Sequence, residues 1–172
     1  LGADPIWQER ARAGAMALPH NVSYRDLDEM TDLELIMKEA LRLRPPVPAI
    51  PRAAIRDTQL CGYFVPAGTF VVSLVGSNHR RPEIWSEPDR FDPDRFSVDR
   101  AEHTAHRMAW MPFGGGAHKC IGMTFARMEV FVVMHHMLRS MQWSIPDGRE
   151  MDRRDRSLTG NAGFAATVRR LR

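Results

Sequence analysis

Apolar residues recur at helical spacing in three stretches of this 172-residue chain and form a strand-like run in a fourth. The first helix opens at Asp4-Pro5, since aspartate caps a helix and proline is tolerated in the first turn. It runs through Ile6 and Trp7 to about Leu18, where Pro19, His20 and Asn21 break it. The second carries a capping-box pattern, Thr31 with Glu34 three residues on. Behind that start Leu33, Ile36, Met37, Ala40 and Leu41 make one apolar face, and Pro45-Pro46 ends the helix. Between residues 52 and 75 the pattern becomes that of strands. Val65-Pro66-Ala67-Gly68-Thr69 reads as a tight turn with proline second and glycine last, and Phe70 to Val75 as a well-buried strand. Cys61, on the strand before, reads as a packing residue. Residues 78–85 form a short helical turn, and residues 97–109 a polar connection. Beyond Cys120 a helix continues to about Met141, striped by Ala126, Val130, Val133, Met134, Met137, Leu138 and Met141. The tail suggests two short strands around Pro146-Asp147-Gly148 and a loop over Ser157–Gly163.

Composition narrows this picture only a little. Hydrophobic residues at 44% and charged residues at 26% are ordinary for a soluble globular protein, and the length suits one domain with a sizeable core. The net charge of +3 is spread along the chain, which argues against a nucleic-acid partner and leaves room for a basic face toward an acidic redox protein. Two cysteines, Cys61 and Cys120, make no disulfide framework and point to a reducing compartment. No apolar run is long enough to span a membrane. The chain starts at Leu1 without a signal-peptide pattern, and a cytoplasmic location is the expectation. Internal repeats and low-complexity tracts are absent.

Candidate chemistry concentrates between Phe113 and Gly122, in Phe-Gly-Gly-Gly-Ala-His-Lys-Cys-Ile-Gly. Glycines let a backbone turn tightly and approach a flat ligand. A cysteine where such a loop enters a helix sits near the helix's positive end, which favours the thiolate. Thiolate is one of the recognised axial ligands of heme iron. Three rival chemistries fit less well. Zinc needs about four ligands at recognisable spacing, and His118-x-Cys120 offers two. A phosphate-binding loop needs Ser or Thr after its lysine, and Lys119 is followed by cysteine. A cysteine nucleophile needs a base beside it; His118 is available, but the glycines would then be unexplained. A buried, inert cysteine before a core helix is the remaining plain reading.

The same ten residues resemble the cysteine loop of the cytochrome P-450 family, the heme-thiolate monooxygenases: Phe113, Gly116, His118, Cys120 and Gly122 fall on its pattern, with histidine where arginine is commoner. Two further stretches resemble the family in order. Glu39-x-x-Arg42, followed by Leu43, Pro45 and Pro46, matches one signature, and the run Phe91-Asp92-Pro93-Asp94-Arg95-Phe96 matches another. The resemblance implies a mainly α fold with small β-sheets (α+β), with the cysteine loop followed by a long helix. It implies a buried network of Glu39, Arg42 and Arg95, a residue trio that one carboxylate and two five-donor guanidiniums can satisfy.

It further implies heme b as cofactor, with Cys120 as the axial ligand of the iron and the catalytic residue. Arg52 and His118 would pair with the propionates, Trp110 would donate its indole N–H to one or pack in the core, and Phe113, Gly114 and Gly122 would line the sulfur. The reaction implied is insertion of one atom of dioxygen into an organic, lipophilic small molecule, with electrons from a ferredoxin- or flavin-type donor docking near Lys119 and Arg127. The family's acid-alcohol pair on an oxygen-activating helix has no counterpart here. Residues 1–172 are therefore expected to be one incomplete domain, the C-terminal heme-binding part. A non-catalytic heme-binding remnant and a heme-thiolate isomerase or dehydratase stay open as alternatives.

Overall fold

The computed structural model describes residues 1–145 and 166–171. Pro146–Gly148 and the loop over Ser157–Gly163 lie outside these residues, and strands at Met141–Ser144 and Thr167–Arg170 stand in the tail on either side of them. Helices dominate, joined by two-stranded ribbons: α1 (Pro5–Ala17), α2 (Thr31–Leu43), β1 (Ala49–Ala53), β2 (Thr58–Leu60), β3 (Tyr63–Val65), β4 (Phe70–Leu74), α3 (Val75–Asn78), α4 (Met123–Ser140), β5 (Met141–Ser144) and β6 (Thr167–Arg170). Among the described residues, no helix is long and apolar enough to cross a membrane. The chain divides into two compact units, Leu1–Lys38 with Ile121–Arg172, and Glu39–Cys120.

In the first unit, Asp4 caps α1 by accepting from the Trp7 N–H at 3.1 Å. The core gathers Leu27, Met30, Leu33 and Phe131, with Met128, Val132 and Met134 packed against it. Helix ends leave carbonyls without intrahelical donors, and α4 supplies donors to those of α1. Arg139 donates to Ala15 O at 2.7 Å and to Leu18 O at 2.9 Å, and Arg12 donates to Leu138 O. β5 and β6 pair antiparallel, Met141 opposite Arg170. Thr31 is the first helical residue of α2 rather than its cap, because the Glu34 N–H already donates to Met30 O at 3.0 Å. The Glu34 carboxylate goes instead to Arg127 and Lys38.

The burial pattern along α4 departs from the sequence expectation. Its buried residues are Phe131, His135 and Leu138, whereas Val130 and Val133 are exposed. An all-round apolar helix gives no unique stripe by periodicity, so the side facing the core could not be chosen from spacing.

In the second unit, β1 pairs antiparallel with β4 from Ala49↔Leu74 to Ala53↔Phe70, and β2 pairs with β3. β4 is not a buried strand: Phe70, Val72 and Leu74 are all exposed, Val72 by 45%. The turn before it is shifted by one residue from the sequence reading. Pro66 is the first residue, its carbonyl accepting from the Thr69 N–H at 3.2 Å, and Gly68 is third, at φ +82, as a type II turn requires. Cys61 does not pack either. It is exposed at the turn between β2 and β3, at φ +52 beside Gly62, a geometry suited to tight two-residue hairpins.

Candidate functional site

The buried face of α2 carries Leu33, Ile36, Glu39 and Arg42, spaced by three, while Ala40 is exposed. The apolar stripe is thus continued by charge in the last turns. In the second unit Glu39, Arg42 and Arg95 come together, each 0% exposed. Glu39 accepts from Arg42 Nε at 2.7 Å, Arg42 Nη2 at 2.9 Å, Arg95 Nε at 3.1 Å and the Asp92 N–H at 2.9 Å.

Every guanidinium donor is used. Arg42 also reaches His79 O and Pro88 O, both at 2.7 Å, and Arg90 O at 3.2 Å. Arg95 reaches Ser86 O, Glu87 O, Arg90 O and the Glu102 carboxylate. A charge removed from water is tolerable only when paired and fully hydrogen-bonded, and this network meets that condition. Its donors pin the loop between Ser86 and Asp92, so the ion trio acts as a backbone clamp.

An aromatic column leads from the clamp to the glycine-rich loop. Arg42 lies over the Trp85 ring at 5.2 Å. Trp85 packs on Phe96 at 5.5 Å, Phe96 edge-on to Trp110 at 6.0 Å, and Trp110 edge-on to Phe113 at 6.1 Å, distances typical of favourable ring pairs. The loop then folds on its own backbone. Gly114 N–H donates to Met111 O at 3.0 Å, Lys119 N–H to Gly116 O at 3.2 Å, and Cys120 N–H back to Phe113 O at 2.8 Å. Gly116–His118 forms one 3₁₀ turn. Gly116 sits at φ +69, the left-handed region that residues with a Cβ resist.

At the end of this loop Cys120 is a free, exposed thiol, and His118 and Lys119 are exposed beside it in sequence. Gly122 is the residue before α4. Arg52 lies on β1 opposite Val71, exposed, with its guanidinium on Pro51 O at 2.7 Å. In the first unit, Arg127 pairs with Glu34 at 2.8 Å and Asp28 at 3.1 Å.

Among the described residues no group of three or more His, Cys, Asp or Glu could hold a metal ion. One accessible thiol at the end of a constrained loop can serve a metal whose other ligands come with it. A porphyrin iron is such a group, and the donor set fits it.

Three contributors escaped sequence reasoning. Glu102 extends the clamp, accepting from Arg95, Arg100 and Ser86. His79 and Asn78 hold the strap leading into the loop. None shares a motif spacing with its partners, so no pattern in the sequence pairs them.

The family described as Cytochrome P450 matches residues 3–166. The protein named as cytochrome P450 136 of Mycobacterium tuberculosis is 44% identical over 150 residues, covering 86% of this chain and 30% of that protein. Premnaspirodiene oxygenase of Hyoscyamus muticus is 34% identical over 82% of the chain and 28% of its own length. Sterol 14alpha-demethylase of Mycolicibacterium vanbaalenii is 34% identical over 79% of the chain and 30% of its own length. The structure of retinoic acid-bound cyanobacterial CYP120A1 superposes with a TM-score of 0.84 at 27% identity, covering 96% of this chain and 38% of that one. The chain thus spans about three-tenths of the length of the curated relatives it matches. A clamp of Glu39, Arg42 and Arg95, a glycine-rich loop ending in an accessible thiol and these likenesses lead to one conclusion: the chain belongs to the cytochrome P450 family, the heme-binding, heme-thiolate monooxygenases.

Proposed function

We propose that residues 1–172 are the C-terminal, heme-binding part of a monooxygenase that inserts one atom of dioxygen into an organic, lipophilic substrate. Electrons would come from a ferredoxin- or flavin-type donor. The observation that carries this reading is Cys120, a free and exposed thiol whose own backbone N–H is tied to Phe113 O. That bond fixes the loop around the sulfur, and a ligating cysteine must give up its proton.

Each residue then has a task of its own. Cys120 would supply the thiolate that binds the heme iron, and Phe113, Gly114 and Gly122 would shield that sulfur once heme is bound, where nearby N–H dipoles tune it. Arg52 and His118 supply charge-assisted hydrogen bonds for the propionates, with Trp110 as a further N–H donor. The clamp of Glu39, Arg42 and Arg95 holds the scaffold under the loop. Heme, when bound, supplies an iron centre at which dioxygen is activated, and a thiolate ligand favours O–O cleavage.

The test is optical. The heme-loaded protein, reduced and treated with carbon monoxide, should show the strongly red-shifted Soret band of thiolate ligation, and C120A should abolish it. An unchanged band in C120A overturns the assignment. Residues 1–172 alone, which carry no counterpart of the family's acid-alcohol pair, should show no substrate-dependent oxygen consumption with an electron donor. Consumption by these residues alone would overturn that. In a longer chain carrying that pair, the same assay separates a monooxygenase from a non-catalytic heme protein or an isomerase.

A further inference from the structure

Three hydrogen bonds in series join the buried clamp to the cysteine loop, and a histidine ring is the middle link. Arg42 O faces His79 Nδ1 at 3.1 Å. On the other side of the ring, Nε2 faces the Met111 N–H at 2.8 Å. Met111 O then accepts from the Gly114 N–H at 3.0 Å.

Chemistry assigns both ring atoms. A carbonyl only accepts and a backbone amide only donates, so Nδ1 carries the proton and Nε2 offers its lone pair. His79 is fully buried. Burial, assisted by the charges of Arg42 and Arg80, pulls its pKa down to about 4 against the pull of the Arg42 carbonyl, which keeps the ring neutral. Its neighbour grips the same strap: Asn78 Nδ2 donates to Met108 O at 2.8 Å and to Ala109 O at 3.3 Å. The Met108 side chain lies close under the loop, since a Cβ on Gly115 would fall 2.6 Å from Met108 Cε.

We propose that His79 is a positioning residue for the cysteine loop, carrying the geometry of the Glu39–Arg42–Arg95 clamp to the Met111–Gly114 turn through a donor and an acceptor on opposite sides of one ring. For what the loop holds, this rests on the heme-thiolate reading above. A residue that merely filled space would be indifferent to which ring atom is replaced; a relay is not.

Two substitutions separate these cases. Asparagine places a polar atom near the Nδ1 position and none at Nε2, so H79N keeps the Arg42 link and loses Met111. Glutamine reaches the Nε2 position, so H79Q can still accept from Met111. Amide hydrogen exchange should therefore quicken at Met111 by about tenfold or more in H79N, the loss of one hydrogen bond, and change far less in H79Q. In the heme-loaded protein, the fraction with the thiolate-type band should fall in H79N and recover in H79Q. Equal behaviour of the two variants overturns the proposal, whether both resemble wild type, both exchange fast or both fail to fold. A wild-type protein lacking the thiolate-type band would sink the heme reading instead, and the exchange comparison would still decide the role of His79.

Discussion

Arg95 donates to Glu102 at 2.7 Å, a shorter bond than the 3.1 Å one it makes to Glu39. The clamp is therefore not closed at three residues. Arg95 is shared between two carboxylates, and Glu102 is itself held by Ser86 Oγ and Arg100, each at 2.6 Å.

Burial pushes the Glu102 carboxyl up, but hydrogen bonds from Ser86, Arg100 and Arg95 outweigh it and bring the pKa down to about 2. The folded value lies below the unfolded one, so the contribution to stability is full above the usual glutamate range and fades as pH falls from about 4.5 toward 2. E102Q should lower neutral-pH stability by up to ~3 kcal/mol and flatten the acid-side loss. Urea unfolding at pH 7 and pH 3 checks both; an identical pH dependence in the variant contradicts the account.

Removing the central carboxylate should be worse. E39A leaves two buried guanidiniums without their shared partner, a loss of roughly 3–5 kcal/mol for a broken buried pair. R95K should also be poorly tolerated, because lysine has three donors and no planar fork where arginine uses five. Circular dichroism melts would show E39A well below R95K, and R95K below wild type.

His79 predicts a second, separate pH window. Its folded pKa of about 4 lies below the ordinary histidine value, so the unfolded chain binds the proton more tightly. Stability from this residue is complete above about 6.5 and falls away as pH drops to about 4, by at most ~3 kcal/mol. Wild type minus H79Q, measured by urea unfolding from pH 7.5 to 4, should show this loss. A flat difference would mean that the ring is not buried neutral.

The loop glycines divide into two kinds. Gly116 has open space around it but φ +69, so G116A should cost about 1–2 kcal/mol from backbone strain alone. Gly115 faces the flexible tip of Met108, so G115A should cost less when combined with M108A than on its own. Thermal unfolding of the single and double variants reads the coupling.

Local chemistry made some of this fold legible. Asp4-Pro5 announced α1, and the capping pattern and Pro45-Pro46 bracketed α2 to within a residue. The mainly helical class with small sheets followed from the resemblance carried by the Glu39, Phe91–Arg95 and Cys120 stretches. Burial was less readable. Periodicity assigned Ala40 and Leu41 to the inner face of α2, yet Glu39 and Arg42 occupy it, because two arginines and a carboxylate can satisfy one another out of water. β4 looked buried because its residues are apolar, and hydropathy cannot say whether a covering layer is present. Glu102 and His79 meet their partners through loop geometry, to which no residue spacing corresponds.

The three ribbons of β1–β4, β2–β3 and β5–β6 have a consequence for solution behaviour. With only two strands each among the described residues, every strand presents one flank of unbonded amides, and paired hairpins of this size are marginal without support. Phe70, Val72 and Leu74 alternate along β4 and add a greasy strip to one face of its ribbon with β1. Protease nicking and self-association should start there, making that ribbon the place to introduce charge when a better-behaved sample is wanted.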